Sequence, residues 1–482
     1  MKHAKQIIVG LVTVAAVALL LTPARHPEVI PTGRTLVRYW GYWTGVEADA
    51  MQEIIDSFND TIGKDKGIWV QYISISQSDQ KTLTATAAGV PPDIAGVMGD
   101  QLAQFAAMNA IEPLEKMAAE HGITREYYKP VYWDACSFEG HLYAMVATPF
   151  VVGLYWNKQI FQDRAEQLRA AGLDPDRPPA TLAELDRYAQ ALEVWKDGHL
   201  EAGGFFEQQP GWWREHLYDW FGGRIFDEKT GRLTLDSPNV IQAYDWMQSY
   251  SKRIGPAEVS RFASGLPDVN TFDTPLQPFV TGALAMMKQG PWLANSIEHL
   301  RPAMNRWKMS KQEESKLPRE QRKQNYMWGA APFPSAVPGE KNAGFAGVDI
   351  LVIPSTARHK AEAFEFIAFV NRQDNMEKLC SLHCKNSPLA KMSGSYLANH
   401  RNPYIEVFEE LAASPHVHPV PPVPIWPQIQ SELRNIAGII VQDVGPQSSP
   451  AHLLAEAQVR YQAELDRFNA RRAERRARGL LQ

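Results

Sequence analysis

The chain has 482 residues, 45% hydrophobic and 21% charged, with a net charge of -5 at pH 7. That length can bury large cores and implies two to four domains, and the near-balanced charge excludes the basic footprint of a nucleic-acid or anionic-membrane binder. Trp is abundant at 14, a residue favoured where a flat apolar face meets a partly polar ligand.

The chain begins as a targeting segment. Lys2 and Lys5 precede an apolar run over residues 7–21, and Thr22-Pro23-Ala24 supplies small residues for cleavage. The run is shorter than the ~20 residues a membrane span needs. Residues 1–24 therefore read as a signal peptide, with an uncleaved N-terminal anchor as the alternative, and residues 25–35 as a linker containing Pro27 and Gly33. An exported chain enters an oxidising compartment, yet only Cys136, Cys380 and Cys384 are present. Disulfides are not its main staple.

Strands and helices then alternate. Residues 36–40 predict a buried strand. Thr44 and Glu47 form a capping-box pattern ahead of Met51, Ile54, Ile55 and Phe58 at helical spacing. Residues 68–75 predict a strand, 79–88 a helix, and 94–98 a strand ending in Gly99-Asp100. This order argues for a parallel α/β sheet with ligands at the carboxyl ends of its strands, where Trp40, Tyr42, Trp43 and Asp100 stand.

Residues 165–201 read as helical, interrupted at Pro175 to Pro179 and capped afresh at Thr181 and Glu184. An aromatic concentration follows, with Phe205, Phe206, Trp212, Trp213, Tyr218, Trp220 and Phe221. Neighbouring residues point apart on a helix, so Trp212, Trp213 and Trp220 cannot all share one face. At residues 279–292 a Gly turn leads to a small buried strand over 283–287 and then to Gly290-Pro291, which presents Trp292. Residues 304–324 form a charged, solvated insertion. A strand is predicted over 344–354, and an amphipathic helix carries Ala361, Phe364, Ile367 and Val370. Trp426 heads another helix, and a basic tail from Arg471 to Arg478 is expected to be frayed.

Several segments, in order, resemble one family. Residues 88–94 (AGVPPDI), 140–163 with HLYAMVATPFVVGLYWNK, 279–292 as F-x-x-G-x-x-A-M-x-x-x-G-x-W, and 344–354 are similar to segments of the extracellular solute-binding proteins of bacterial sugar ABC importers, the family of maltose-binding protein. The match departs at Trp156, where relatives usually carry Tyr, and before Pro149.

The resemblance implies a two-lobed α/β periplasmic-binding-protein fold of type II, with a ligand cleft and hinge crossovers. The first lobe would span 36–148 with 351–398, the second 149–350 with 399–468, and residues 469–482 would be the tail. Trp292, Trp426 and one of Trp212 or Trp213 fall where relatives place stacking aromatics of the second lobe. Asp100 and the turn from Trp40 to Trp43 fall at first-lobe contacts. Asp349 is either a ligand contact or a hinge brace. Each Trp taken alone also fits a core position. The implied role is capture of a carbohydrate for the permease subunits of an ABC importer, by a periplasmic or extracellular monomer that needs no cofactor and binds no nucleic acid.

No nucleophile elbow, zinc motif or phosphate loop is present, so no enzyme class has an anchor. Carboxylate pairs for sugar hydrolysis are defined by separation in space, so an exported carbohydrate-active enzyme stays as the alternative. The same fold binding a polyol, glycerol phosphate or peptide is a nearer one. Cys380, His383 and Cys384 could bind a metal, form a local disulfide or simply pack.

Overall fold

The computed structural model describes residues 30–211, 213–267 and 274–479. The predicted signal segment and Trp212 lie outside them. Among the described residues, no helix is long and apolar enough to cross a membrane.

Three strands, β1 (Thr35–Gly41), β2 (Ile68–Ser74) and β3 (Ile94–Met98), pair in parallel with β1 in the centre. The helices Gly45–Asp60 and Ser78–Ala87 connect them. Val37, Tyr39 and Gly41 of β1 are buried and Arg38 is exposed, the alternation of a strand with one covered face. The sheet becomes mixed through β4 (Met145–Val151) and β8 (Gly344–Val352). β8 runs antiparallel to both β3 and β4, and its start pairs in parallel with β9 (Val417–His418). A second, antiparallel sheet places β5 (Gly153–Asn157) between β6 (Met286–Gln289) and β7 (Trp328–Ala331). Only Val152 separates β4 from β5, so the chain passes straight from one sheet into the other.

The buried side chains fall into two cores. One gathers Val37, Ile55, Val70, Ile94, Leu351 and Ile367 with Leu293 and Trp328; the other gathers Leu154, Phe161, Tyr188, Trp220, Val240 and Ile429. β4 and β8 serve both. Phe150 and Phe345 belong to the second core, while their neighbours Val151 and Ala346 belong to the first. Successive strand residues point to opposite faces, which is how two strands can be shared in this way.

Some expectations are corrected. Thr44 makes no side-chain cap; Glu47 instead turns its carboxylate towards His383 and Lys385. Residues 194–201, expected to be helical, fall in a hairpin of Val194–Lys196 and His199–Ala202. Its turn is Asp197-Gly198, both at positive φ (51° and 82°), which suits the inherent twist of paired strands. The strand expected at 283–287 lies at Met286–Gln289. All three cysteines are free and buried, so packing is the outcome for Cys380 and Cys384.

A buried ion pair fixes β8. Asp349 stands where the register of β8 against β4 shifts. It accepts hydrogen bonds from Thr148 Oγ1 (2.6 Å), Lys385 Nζ (2.7 Å) and the Tyr42 hydroxyl. Burial pushes the Asp349 carboxyl up, but the Lys385 ammonium and these three donors outweigh it and hold it below the usual carboxylate range. Burial lowers Lys385, and the charges of Asp349 and Glu47 bring it above its ordinary value. The two shifts agree on an ionised pair.

The C-terminal helix corrects the expected frayed tail. It runs from Pro450 to Ala477, seated on the second core through Leu454, Ala457 and Leu465. Phe468 packs against both cores. Beyond it, Arg472 lies over the Phe138 ring and makes a two-pronged ion pair with Glu139, joined by Arg476 at 3.0 Å. Glu139 stands in the turn between the short strands Ser137–Phe138 and His141–Leu142, beside the first core.

Lys385→Met should lower stability by about 3–5 kcal/mol in urea unfolding, because it strands a buried carboxylate, and pairing it with Asp349→Leu should recover much of the loss. The pair's contribution should fade in acid as pH falls through the depressed Asp349 value, and in strong base as pH rises through the raised Lys385 value, which a pH series of the same unfolding curves would show. Glu139→Ala should speed tryptic cleavage at Arg471 and Arg472 while the far-ultraviolet dichroism of the folded body is kept.

Candidate functional site

The carboxyl ends of the parallel strands build one side. The chain leaves β1 at Gly41, and the turn that follows is pinned by the Trp43 carbonyl, which accepts from Tyr72 OH (3.1 Å) and Ser74 Oγ (2.9 Å). Trp43 is 5% exposed, and its ring meets His383 edge-on at 4.9 Å. Trp40 is half-buried on the opposite face of β1 from Tyr39 and joins none of the ring contacts below among the described residues. Asp100 follows β3 and is half-buried, with one carboxylate oxygen accepting from Gln101 Nε2 at 3.0 Å.

The other side is a series of rings. Trp292 follows the Gly290-Pro291 turn and begins the helix Leu293–Leu300. Its ring lies on the backbone of Gly290, where a Cβ would come within 2.1 Å of it. Trp292 meets Phe150 at 5.2 Å in a T shape and Trp213 at 6.2 Å. Phe150 in turn lies on Gly347 of β8, where a Cβ would sit 2.1 Å from the ring. The series continues to Phe345 at 5.9 Å, to His216 stacked on Phe345 at 3.7 Å, and to Trp426 at 5.0 Å from His216. Trp213 and Trp426 are 1% and 0% exposed, so both back the series. Lys385 Nζ joins the two sides, 5.8 Å from the Trp43 ring centroid and 5.7 Å from that of Trp292.

Between the sides is a slot of about 20 Å³, lined among others by Asp100, Phe150, His216, Phe345, Gly347 and Gln430. That is room for about one water. His216 is fully buried; burial, with the charge of Lys288, brings its imidazole down to about 3, so the ring is neutral. Among the described residues its Nε2 has no hydrogen-bond partner, and neither do Trp426 Nε1 and Glu215 Oε2. Orphaned buried polar atoms are rare in folded proteins, and here three belong to residues in or behind the slot. Asp79 approaches from the neighbouring helix: burial and then the charge of Asp100 raise its carboxyl to about 7. A larger cavity of about 770 Å³, lined by Phe221, Trp246 and residues 335–341, holds none of these rings or orphaned atoms.

Of the expected site residues, the structure brings together Trp43, Asp100, Trp213, Trp292, Asp349 and Trp426, leaves Trp40 aside, and says nothing of Trp212. Sequence reasoning missed Lys385, His216, Gln430, Phe150 and Phe345. Phe150 and Phe345 stand in segments already singled out, next to glycines or at strand crossings. Lys385 and His216 carry no local signal. No group of three or more His, Cys, Asp or Glu among the described residues could hold a metal ion.

Known proteins resemble this chain in sequence and in fold. A sequence profile of the bacterial extracellular solute-binding proteins matches residues 53–385. A maltotriose-binding protein of Pyrococcus abyssi is 21% identical over 359 residues, covering 73% of this chain and 67% of the relative. The sn-glycerol-3-phosphate-binding periplasmic protein UgpB of Pectobacterium atrosepticum is 24% identical over 358 residues, covering 71% and 70%. Among solved structures, CpMnBP1 with mannotriose bound superposes with a TM-score of 0.72 at 24% identity, covering 88% of this chain and 99% of that one. The sugar-binding protein MalE of Xanthomonas citri gives 0.68 at 20% identity, covering 90% and 98%. The fold is thus the two-lobed α/β fold of type II periplasmic binding proteins. With a profile match across most of its length, the chain belongs to the bacterial extracellular solute-binding protein family.

Proposed function

We propose that this protein is the substrate-binding component of an ABC importer and captures a mono- or oligosaccharide between its lobes. The observation that carries the reading is the run of rings from Trp292 through Phe150 and Phe345 to His216, whose Nε2 is orphaned, beside a slot that Asp100 also lines, with Trp43 on the other side of Lys385. A pyranose offers an apolar face to an indole and a rim of hydroxyls to carboxylates and imidazole. Relatives that bind maltotriose and mannotriose support the same chemistry.

Ligand sites usually span ~300–1,000 Å³, far more than the slot holds here. The lobes therefore part to admit sugar and close on it. The first lobe is residues 36–148 with 351–398 and the second 149–350 with 399–468, with Leu293 and Trp328 of the second packed on the first core. β4 and β8, shared by the two cores, are the strands about which they move. Ligand that touches both lobes favours the closed shape, and a permease that reads that shape receives loaded protein. The protein works outside the cytoplasmic membrane, released or tethered by its N-terminal segment, and leaves the sugar's bonds intact.

A thermal-shift screen over neutral oligosaccharides, polyols, sn-glycerol 3-phosphate and peptides should show stabilisation by a carbohydrate, worth about 2.7 kcal/mol at a hundred times Kd. Shortened products after incubation with a glycan panel would instead establish a hydrolase. Trp292→Ala should weaken ligand binding by about 2 kcal/mol, roughly thirtyfold, in calorimetric titration with the fold retained. Normal binding by the variant would remove Trp292 from the site.

A further inference from the structure

The cavity of about 770 Å³ stands apart from the ring series, and all its lining residues fall between 180 and 341, on the second lobe as assigned above. Its volume lies within the ~300–1,000 Å³ typical of ligand sites. One wall is a face of the helix Pro238–Ile254, on which Gln242, Asp245, Trp246 and Ser249 are spaced by three, one and three residues and so line up. Trp246 is half-buried, and its Nε1 is already committed, donating to the Asp186 carboxylate at 3.1 Å and 3.2 Å. What it has left to offer is ring surface, held in place by Tyr250 at 5.4 Å and Phe221 at 5.9 Å. Ser249 Oγ gives its proton to the Trp246 carbonyl at 2.6 Å, which leaves it an acceptor. Gln242 and Asp245 are exposed and have no side-chain partner among the described residues.

The facing wall is the segment 335–341, which joins β7 to β8. It is tied down along its length. The Ala336 amide donates to the Trp220 carbonyl at 2.8 Å, and Ser335 Oγ lies 3.2 Å from that carbonyl and from Glu340. The Val337 amide donates to Ser335 Oγ at 3.0 Å, and Glu340 meets His416 at 3.3 Å. A third wall, at residues 180–183, is fixed by the Ala180 amide and the Thr181 hydroxyl, both bonded to Glu184. Walls held in this way keep the cavity formed without a ligand, so binding orders little that is loose. Lys341 stands in the lining exposed and without a partner among the described residues.

An indole flanked along one helix face by an amide, a carboxylate and a hydroxyl suits a ligand ring that is apolar on its face and hydroxylated at its rim. Lys341 across the cavity adds a donor, and with Asp245 it leaves the free charges one of each sign, which favours no anion or cation. Every wall belongs to one lobe. A ligand here touches the open and closed shapes alike and therefore shifts neither. We infer that this cavity is a second saccharide site, one that holds a neutral oligosaccharide without closing the lobes and so keeps the protein on a glycan while the slot loads and releases. The inference goes beyond the importer reading and does not depend on what fills the slot.

The test is calorimetric titration of the full chain with maltotriose, mannotriose, cellotriose and xylotriose, with polyproline as a peptide control, while X-ray scattering follows the radius of gyration. Each titration is repeated on Trp292→Ala and on the double variant Gln242→Ala, Asp245→Ala, whose replaced side chains are exposed, so that fold and slot are kept. The expected result is a trisaccharide bound by Trp292→Ala as by the unaltered chain, with no change in radius of gyration, and about tenfold or more weaker on the double variant, which lacks two hydrogen-bonding groups. Saccharide binding that the double variant keeps in full would overturn the inference and leave the importer reading standing. Polyproline bound at these residues in place of any sugar would overturn it too. Saccharide binding lost only on the double variant would uphold the inference and count against the slot. Silence across the panel would overturn the inference and leave the importer reading to its own thermal-shift screen.

Discussion

The Asp349–Lys385 ion pair is the constraint around which the rest of the molecule is arranged. A carboxylate in the middle of a fully buried strand is costly unless it is matched, and here it is matched by an ammonium and two hydroxyls. The four side chains come from the turn after β1, from β4, from β8 and from the segment after the helix Gln373–Leu382. Satisfying one charge therefore fixes four chain segments against one another. The same ammonium stands between Trp43 and Trp292, so the requirement that pins the strand also spaces these two rings.

The two shared strands tie the two cores together. β4 and β8 contribute adjacent residues to different cores and are buried along their whole length, which specifies their register against one another. Glycine appears where this arrangement demands contact between a ring and backbone. Gly347 lets Phe150 lie on β8 and Gly290 lets Trp292 lie on its own turn. A side chain at either place would lift a ring out of the series that runs to Trp426.

Much of this was legible in the sequence, for reasons that particular residues make plain. β3 and the strand at Gly344–Val352 were readable because their runs are apolar and bounded by turn residues. The placement of Trp292 followed from the punctuation by Gly282, Gly290 and Pro291. Features that depend on distant partners were not legible. Glu47 has the spacing of a helix cap, yet His383 and Lys385, more than three hundred positions away, claim its carboxylate. The arginines of the last turns look like a solvated tail until Glu139 is found across from them. The hairpin at 194–202 was a failure of a different kind, since Asp197-Gly198 is a local turn signal that the surrounding helical periodicity obscured.

The course of the C-terminal helix has an implication for how widely the molecule can gape. It is rooted on one core, wedges Phe468 between both, and clasps the other's hairpin through two guanidinium groups. If the cores part as proposed, they strain this clasp or release it, and the helix would then limit their travel. A helix placed in this way would carry part of the molecule's spring constant at a distance from the slot, where shortening it leaves the slot untouched.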